Sequence, residues 1–227
     1  MATLFLVATP IGNLGDLSPR AVEVLKSVSY VACEDTRTSG VLLNHYDIDA
    51  NTFAFHQHNE HKKVEHVMNL LDAHQDVALI SDAGMPGISD PGFLAVRAAH
   101  QGGHTVSVIP GPDAATTALV ASGLPCDKYA YEGFLPQKKG RQKRLKQLAE
   151  EDRTLVFYES PHRLLKLLDE IEKYMGDQRF VAVARELTKK FEEVVRGPLS
   201  HVKQNFQLRD EIKGEIVVII APNDYEE

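Results

Sequence analysis

The chain has 227 residues, of which 43% are hydrophobic and 25% charged, an ordinary composition for a folded globular protein. It has no apolar run near the roughly 20 residues of a membrane span, and its first residues read as a strand instead of a signal peptide, so we expect a cytoplasmic protein. The net charge of −7 is uneven: residues 1–115 carry 6 basic and 13 acidic residues, whereas residues 116–227 carry 19 of each. An acidic total argues only weakly against a nucleic-acid partner, because local patches matter more than the sum.

Short apolar runs alternate with helical patterns in the first half of the chain. Because the apolar runs are nearly continuous, they predict a mainly parallel sheet with helices on both faces, in an N-terminal α/β domain of residues 1–115. Ser18-Pro19 and Asp90-Pro91 are expected to begin helices, since Ser or Asp caps free amides and proline lacks one. The predicted strands are Leu4–Ala8, Tyr30–Cys33, Thr52–Phe55, Val77–Ile80 and Thr105–Ile109.

The second half repeats the alternation less regularly and predicts a second α/β domain, residues 116–227. Ser160-Pro161 is expected to begin a helix, and residues 187–190 to join two neighbouring strands as a hairpin. Cys33 and Cys126 are too few for a disulfide framework, so we expect two free thiols. The predicted strands are Tyr129–Phe134, Thr154–Tyr158, Phe180–Ala184, Glu192–Arg196 and Glu215–Ala221.

Three turns rich in glycine and proline follow predicted strands of the first half. They span residues 9–13, 81–91 and 110–113. Because the carboxyl ends of parallel strands share one edge of a sheet, these turns should converge on a ligand crevice. None matches G-x-x-x-x-G-K-[ST] or G-x-G-x-x-G, which makes a phosphate cradle a poor explanation.

Several motifs together give the chain a family resemblance over nearly its whole length. They are Ala8-Thr9-Pro10-Ile11-Gly12-Asn13-Leu14, Glu34-Asp35-Thr36-Arg37, Ser81–Gly92, Pro110-Gly111-Pro112, Gly133-Phe134-Leu135-Pro136, Phe157–Arg163, Ala184–Lys189 and Lys213-Gly214-Glu215. In these the chain resembles the small-subunit ribosomal RNA methyltransferases that 2′-O-methylate a cytidine of 16S rRNA, and more distantly the tetrapyrrole methylases and diphthine synthase. Met85 and Gly87 depart from the usual Thr and Leu, and the C-terminal extension of longer members is absent.

The resemblance implies two α/β domains of the tetrapyrrole methylase type, with a mainly parallel sheet in the first and a mixed sheet in the second. It also implies S-adenosylmethionine as methyl donor, bound in a cleft between domains, and a homodimer acting on 16S rRNA in the small ribosomal subunit. Carried over residue by residue, the donor contacts would be Ile11, Asp82, Met85, Ile88, Asp113, Ala114, Tyr158, Ala184 and Gly214.

A ribose hydroxyl is a weak nucleophile and needs a proton acceptor in line with the methyl group. Glu34, Asp35, His56, Glu159 and Glu186 are candidates on the matched motifs. Arg37, Arg185 and Lys189 could hold phosphate or lower the pKa of the hydroxyl. For Arg185 and Glu186, a structural ion pair at a strand end is an equally good interpretation.

Residues 136–146, the basic segment, contain six basic residues and no acidic one. A solvated helix face is the usual explanation of such a run. Its position after Gly133–Pro136 instead favours RNA binding, since phosphate contacts dominate RNA affinity. The candidate contacts are Lys138, Lys139, Arg141, Lys143 and Arg144.

His56, His58 and His61 suggest a metal cluster at first sight, but supporting ligands are missing from the sequence and we expect no metal. Two other functions stay open on sequence alone. One is a small-molecule methylase acting on a tetrapyrrole, against which the basic segment counts. The other is a catalytically inert RNA-binding protein on the same fold, which would not bind the donor.

Overall fold

A computed structural model describes all residues, 1–227, and the chain divides into two compact units, Met1–Asp113 and Ala114–Glu227. Each unit contains one five-stranded sheet with its own helices. None of the helices combines the length and the apolarity that a bilayer span requires. Both cysteines are free; Cys33 is buried, which raises the pKa of its thiol to about 11.

The first unit is a doubly wound α/β structure. Its strands are all parallel, in the spatial order β3-β2-β4-β1-β5. The strands are β1 (Thr3–Val7), β2 (Tyr30–Cys33), β3 (Asn51–Ala54), β4 (Val77–Ile80) and β5 (Thr105–Ile109). The helices are α1 (Pro19–Ser27), α2 (Thr36–His45), α3 (Glu60–Asp72) and α4 (Phe93–Gln101). The predicted parallel sheet is confirmed.

Helices cover both faces of this sheet, which explains why β4 is buried along its whole length. One face packs against Leu25 of α1 and Leu43 of α2, and the other against Leu71 of α3 and Ala99 of α4. Connections that leave β1 and β2 therefore run on the opposite face from those that leave β3 and β4. The carboxyl ends of β1, β2 and β4 form a topological switch point, where doubly wound sheets bind ligands.

The start of α4 differs from the sequence prediction. The helix begins at Phe93, after a Gly92 N-cap with a φ of 145°, and not at Asp90-Pro91. No side chain of its own caps it. Glu60 at the start of α3 does so instead, since its Oε1 accepts hydrogen bonds from the amides of Gly92 (3.0 Å) and Leu94 (3.1 Å). Asp90 is thereby left in the loop before the helix.

The second unit contains a mixed sheet, as the resemblance implied. Its spatial order is β6-β7-β10-β8-β9; β6 and β7 are parallel and the other pairs antiparallel. The strands are β6 (Tyr129–Phe134), β7 (Thr154–Glu159), β8 (Phe180–Arg185), β9 (Glu193–Pro198) and β10 (Ile216–Ile220). The helices are α5 (Ala114–Ser122), α6 (Arg141–Leu148), α7 (Leu164–Met175) and α8 (Leu199–Gln207). Strands β8 and β9 form the predicted hairpin.

Candidate functional site

The three turns after β1, β4 and β5 converge at the carboxyl edge of the first sheet. The amide of Thr9 donates to Gly84 O (2.9 Å), and the amide of Gly84 donates to Thr9 O (3.0 Å). A Cβ built on Gly84 would lie 3.6 Å from Ile11 Cγ2 and 3.8 Å from Pro112 O. Because Gly84 also has a φ of 81°, glycine suits this contact both sterically and conformationally.

This convergence places five predicted donor contacts of the first unit around one loop cluster. Ile11 is buried, Met85 is partly buried, and Ile88 is 44% exposed. Asp82 lies at the start of the loop and Asp113 follows β5. Ala114, the sixth residue predicted in this region, is the first residue of α5.

Carboxyl groups gather where β2 and β4 end, at the switch point. We call Glu34, Asp35, Asp82 and Asp90 the acidic cluster. The Asp35 amide donates to Asp82 Oδ1 (3.1 Å), and the Asp82 amide donates to Glu34 Oε2 (3.5 Å). Desolvation and mutual repulsion raise the pKa of Glu34 and of Asp82, so the site favours a cation or a proton.

Asp35 and Arg37 form a separate pair on the solvent side of the cluster. Arg37 donates to both carboxylate oxygens of Asp35, at 3.1 and 2.6 Å, and its side chain is 89% exposed. These hydrogen bonds lower the pKa of Asp35 to about 2. Asp35 is therefore a poor proton acceptor, while Arg37 remains accessible to a phosphate.

Asp90 is the functional candidate that sequence reasoning missed. It lies half-buried in the loop, and burial together with the charges of Glu34 and Asp82 raises its pKa to about 7, with a hydrogen bond to Ser81 opposing the shift. The sequence pattern, Asp before Pro, predicts a helix cap and not a proton acceptor. A count of the carboxylates in the strand-end loops would have been the better guide.

His56 lies two residues beyond β3, on the side of the acidic cluster. A favourable charge interaction with His56 lowers the pKa of Glu34, although burial outweighs this effect. Asn59 holds the turn: its Oδ1 accepts from the His56 amide (2.8 Å), and its Nδ2 lies 3.2 Å from His56 Nε2. His56 Nδ1 is buried without a hydrogen-bond partner.

Replacing Glu60 should test how the end of the loop is held. We expect Glu60→Ala to cost about 1 kcal/mol of unfolding free energy, because α4 loses its only side-chain cap, and Glu60→Gln to recover most of it. Urea unfolding would measure both. Glu65→Ala is the matched control, because Glu65 is an exposed residue of α3, the helix that also contains Glu60. Equal losses in Glu60→Ala and Glu65→Ala would contradict this role.

The predicted contacts of the second unit share one edge of its sheet, the second-unit edge, formed by the carboxyl ends of β6, β7 and β8. Tyr158 and Ala184 both pair with Val217 of β10, and Gly214 lies just before that strand. Ala184 is fully buried, so neither its side chain nor its backbone is exposed in this structure. Tyr158 is partly exposed between Tyr131 and Phe134, with ring centroids 5.4 and 5.5 Å away.

Arg185 and Glu186 are engaged in contacts within the fold. Arg185 bonds to the carboxylate of Glu193 and to the carbonyl oxygens of Lys213 (3.0 Å) and Phe191 (3.3 Å). Glu186 Oε1 accepts from Lys189 Nζ (2.9 Å) and the Glu215 amide (3.0 Å), which lowers the pKa of Glu186. These contacts favour the structural interpretation of both residues.

Gly214 lies directly against Glu186. Its φ is 94°, and a Cβ there would meet Glu186 Cγ at a distance no real Cβ tolerates. We expect Gly214→Ala to cost about 2–4 kcal/mol of unfolding free energy through this clash and the strained φ. Thermal unfolding would measure it, with Gly40→Ala, which meets no atom within 4 Å, as control. An unchanged Tm for Gly214→Ala would refute this.

Arg141 and Glu159 form a buried network at the start of α6. The Arg141 side chain, 4% exposed, donates to Glu170 Oε2 (2.7 Å), Glu159 Oε2 (3.4 Å) and Pro136 O (3.3 Å). Glu159, 1% exposed, also accepts from Arg163 Nε and the Ser160 amide, both at 2.8 Å. Their burial and mutual pairing favour a structural role for both residues.

The rest of the basic segment faces solvent. Lys138, Lys139 and Lys143 are exposed, and Arg144 is 44% exposed while it donates to both oxygens of Glu132, at 2.9 and 2.7 Å. The contact of Arg144 with β6, and that of Arg141 with Pro136, bind α6 to the end of β6. The exposed lysines are therefore held beside the second-unit edge. No three His, Cys, Asp or Glu side chains of the chain are arranged to hold a metal ion.

The architecture of this chain, two α/β units with three converging loops at the carboxyl edge of the parallel sheet, can be compared with known protein families. The Tetrapyrrole (Corrin/Porphyrin) Methylases family matches residues 3–203. The crystal structure of uroporphyrin-III-C-methyltransferase from Thermus thermophilus covers 98% of this chain with 96% of its own length, at a TM-score of 0.68 and 18% identity. The fold is thus that of the tetrapyrrole methylases.

Curated relatives narrow the family further. The ribosomal RNA small subunit methyltransferase I of Escherichia coli O157:H7 is 48% identical over 99% of this chain and 79% of its own length. That of Pasteurella multocida (strain Pm70) is 50% identical over 96% of this chain and 78% of its own. The chain therefore belongs to the ribosomal RNA small subunit methyltransferase I family, within the tetrapyrrole methylases, and is a methyltransferase.

Proposed function

We propose that this protein transfers a methyl group from S-adenosylmethionine to the ribose 2′-hydroxyl of a cytidine in 16S rRNA of the small ribosomal subunit. The observation that carries the proposal is the near 50% identity, over almost the whole chain, to relatives named ribosomal RNA small subunit methyltransferase I. The positions of the loops and charged groups in this chain also support the proposal, because they suit donor binding and proton acceptance.

The first-unit loops fit a methyl donor that is a sulfonium cation. The donor supplies an electrophilic methyl group. Backbone hydrogen bonds between Thr9 and Gly84 fix these turns against each other at the edge, and Ile11 packs beside Gly84. Asp82 places a carboxylate beside them, so the electrostatic field of the acidic cluster favours a positive ligand. These features support a donor site that needs no phosphate motif.

The acidic cluster can supply the general base, a carboxylate that accepts the proton of the ribose hydroxyl. A general base works best when its pKa lies near the operating pH. Asp90, with a pKa of about 7, meets this condition, and Glu34 is the neighbouring alternative. Arg37, exposed beside them, would neutralise a backbone phosphate of the RNA.

The test is methylation of small ribosomal subunits that lack the modification, with labelled S-adenosylmethionine. We expect one methyl group per subunit, at a cytidine whose 3′ phosphodiester then resists alkaline cleavage, because a 2′-O-methyl group removes the attacking hydroxyl. Free 16S rRNA and a tetrapyrrole are run as parallel acceptors. Methylation of a base, or of the tetrapyrrole alone, would overturn the proposal.

Calorimetry with S-adenosylmethionine separates an enzyme from an inert binding protein on the same fold. We expect saturable binding without RNA. No heat of binding at millimolar donor, together with retained binding of small subunits, would support the inert alternative.

Charge reversal of the exposed lysines tests the RNA contact. The triple variant Lys138→Glu, Lys139→Glu, Lys143→Glu should raise KM for subunits at least ten-fold and leave donor affinity unchanged, because phosphate contacts dominate RNA affinity. The matched control reverses three exposed lysines elsewhere: Lys26, Lys62 and Lys166. An equal rise in both triple variants would show a general charge effect instead.

A further inference from the structure

An exposed phenylalanine lies at the second-unit edge, next to the basic segment. Phe134 ends β6 and is 56% exposed, although phenylalanine is normally among the buried residues. Its ring contacts Tyr158 of β7 in an edge-to-face arrangement, at 5.5 Å and 61°. One side of the ring is therefore supported by the protein, while much of the rest faces solvent.

The backbone of β6 is shaped to present this side chain. The register of β6 with β7 shifts between Tyr131 and Gly133, which marks a β-bulge, and Gly133 has a φ of 58°. Bulges of this kind re-aim side chains and occur beside functional sites. The exposure of Phe134 therefore follows from the bulge at Gly133 and not from fraying of the strand end.

The surroundings of Phe134 carry the charge that an RNA strand requires. Lys138 and Lys139 follow it by a few residues, and both are exposed. Arg144 bonds to Glu132 of the same strand, and buried Arg141 bonds to Pro136 O, so α6 and its exposed Lys143 are fastened to this strand end. An aromatic face beside several free cations is the combination that binds unpaired nucleotides, by stacking on the base and pairing with the phosphates.

We propose that Phe134 is a stacking platform for an unpaired base of the substrate RNA. The inference rests on the proposed function and adds a recognition residue to it. Tyr158 packs against the ring of Phe134, and Lys138, Lys139 and Lys143 bind the flanking phosphates. Stacking tolerates any base, so this contact selects an unpaired strand and leaves the choice of sequence to other groups.

The test compares Phe134→Leu with Phe134→Tyr, using unmodified small subunits as substrate. We expect Phe134→Leu to raise KM for subunits roughly ten-fold, because base stacking is lost, while kcat and the donor Kd stay unchanged. Phe134→Tyr should restore KM to within about two-fold, since it keeps the aromatic face. Tyr129→Leu, an exposed aromatic at the other end of β6, is the matched control and should leave KM unchanged.

Three outcomes would overturn the inference. KM could remain unchanged in Phe134→Leu, or rise equally in Phe134→Tyr, which would point to a steric role. Size-exclusion chromatography could show that Phe134→Leu alters the oligomeric state, which would assign the ring to contact with a second copy of the chain. Failure of the proposed function is distinct, because it would appear in the unsubstituted protein, either as no methylation of subunits or as methylation of a base instead of a ribose.

Discussion

Replacement of Asp90 by asparagine is expected to lower kcat by about 10²- to 10⁴-fold while the donor Kd changes little. Asparagine keeps the size of the side chain but cannot accept a proton, and positioned general bases contribute about this factor. Glu34→Gln is the informative comparison, because Glu34 is the other half-buried carboxyl with a raised pKa. Asp49→Asn, at an exposed position of the same unit, is the control.

The pH dependence of the reaction gives the same test a second readout. Asp90 must be deprotonated to accept a proton, and its pKa is about 7. The rate of the unsubstituted enzyme should therefore rise about ten-fold per pH unit below 7 and level off above it. In Asp90→Asn this rise should disappear. Unchanged kcat with an unchanged pH profile would exclude Asp90, and the same loss in Glu34→Gln alone would transfer the role to Glu34.

Stability should respond to Asp90 in a direction that follows from its raised pKa. The folded protein binds the proton more tightly than the unfolded chain, whose pKa is near 3.8, so this group loses stabilisation as the pH rises from about 4 to 7. Asp90→Asn should be more stable than the parent above pH 7, by about 1–2 kcal/mol after allowance for partial exposure, and equal to it at pH 4. Urea unfolding at the two pH values measures the difference.

Loss of Arg141 is expected to have the largest effect on stability. Arg141→Met should lower the unfolding free energy by about 3–5 kcal/mol, because Glu170 would lose its ion pair and the buried Glu159 would keep only Arg163 as a cationic partner. Arg141→Lys should recover only part of this, since an ammonium cannot reproduce the geometry of three separate acceptors. Denaturant unfolding at neutral pH gives the values.

Arg144→Met is the matched control, three residues along the same helix. Its ion pair with Glu132 is half exposed, so we expect a loss of about 1 kcal/mol or less. Equal effects of Arg141→Met and Arg144→Met would show that the buried network contributes no more than a surface pair. A selective loss in Arg141→Met would establish that the basic segment is anchored by one of its own arginines.

Periodicity and strand-end motifs predicted most of the framework. The parallel sheet followed from apolar runs, because a strand covered on both faces must be apolar throughout, whereas the mixed sheet was implied by the family resemblance. Helix α1 begins as predicted, with the Ser18 hydroxyl accepting from the Ala21 amide (3.2 Å). Helix α5 lies where the sequence had suggested only a domain boundary. Its Ala114–Ser122 sequence is small or apolar on every side, so it shows no amphipathic period.

The sequence did not predict the roles of residues whose partners are distant in the chain. Arg141 and Lys143 look alike in a basic run, yet only Arg141 is buried and paired with two carboxylates, 18 and 29 residues further on. Asp90 looks like a helix cap, but Glu60, 30 residues earlier, occupies that role. Hydrogen bonds and burial between such residues leave no periodic trace in the sequence.

The sequence by itself determined the family, the order of the strands, and the three turns that meet at Gly84, because these depend on local residue patterns and on the rule that parallel strands end at one edge. Only the tertiary structure decided which charged groups are free to act. Solvation and pairing set the pKa of Asp90 and the burial of Arg141, and both arise from packing of distant segments. Packing also leaves Phe134 exposed at the end of its strand. The neighbouring lysines are held there because buried Arg141 bonds to Pro136 O.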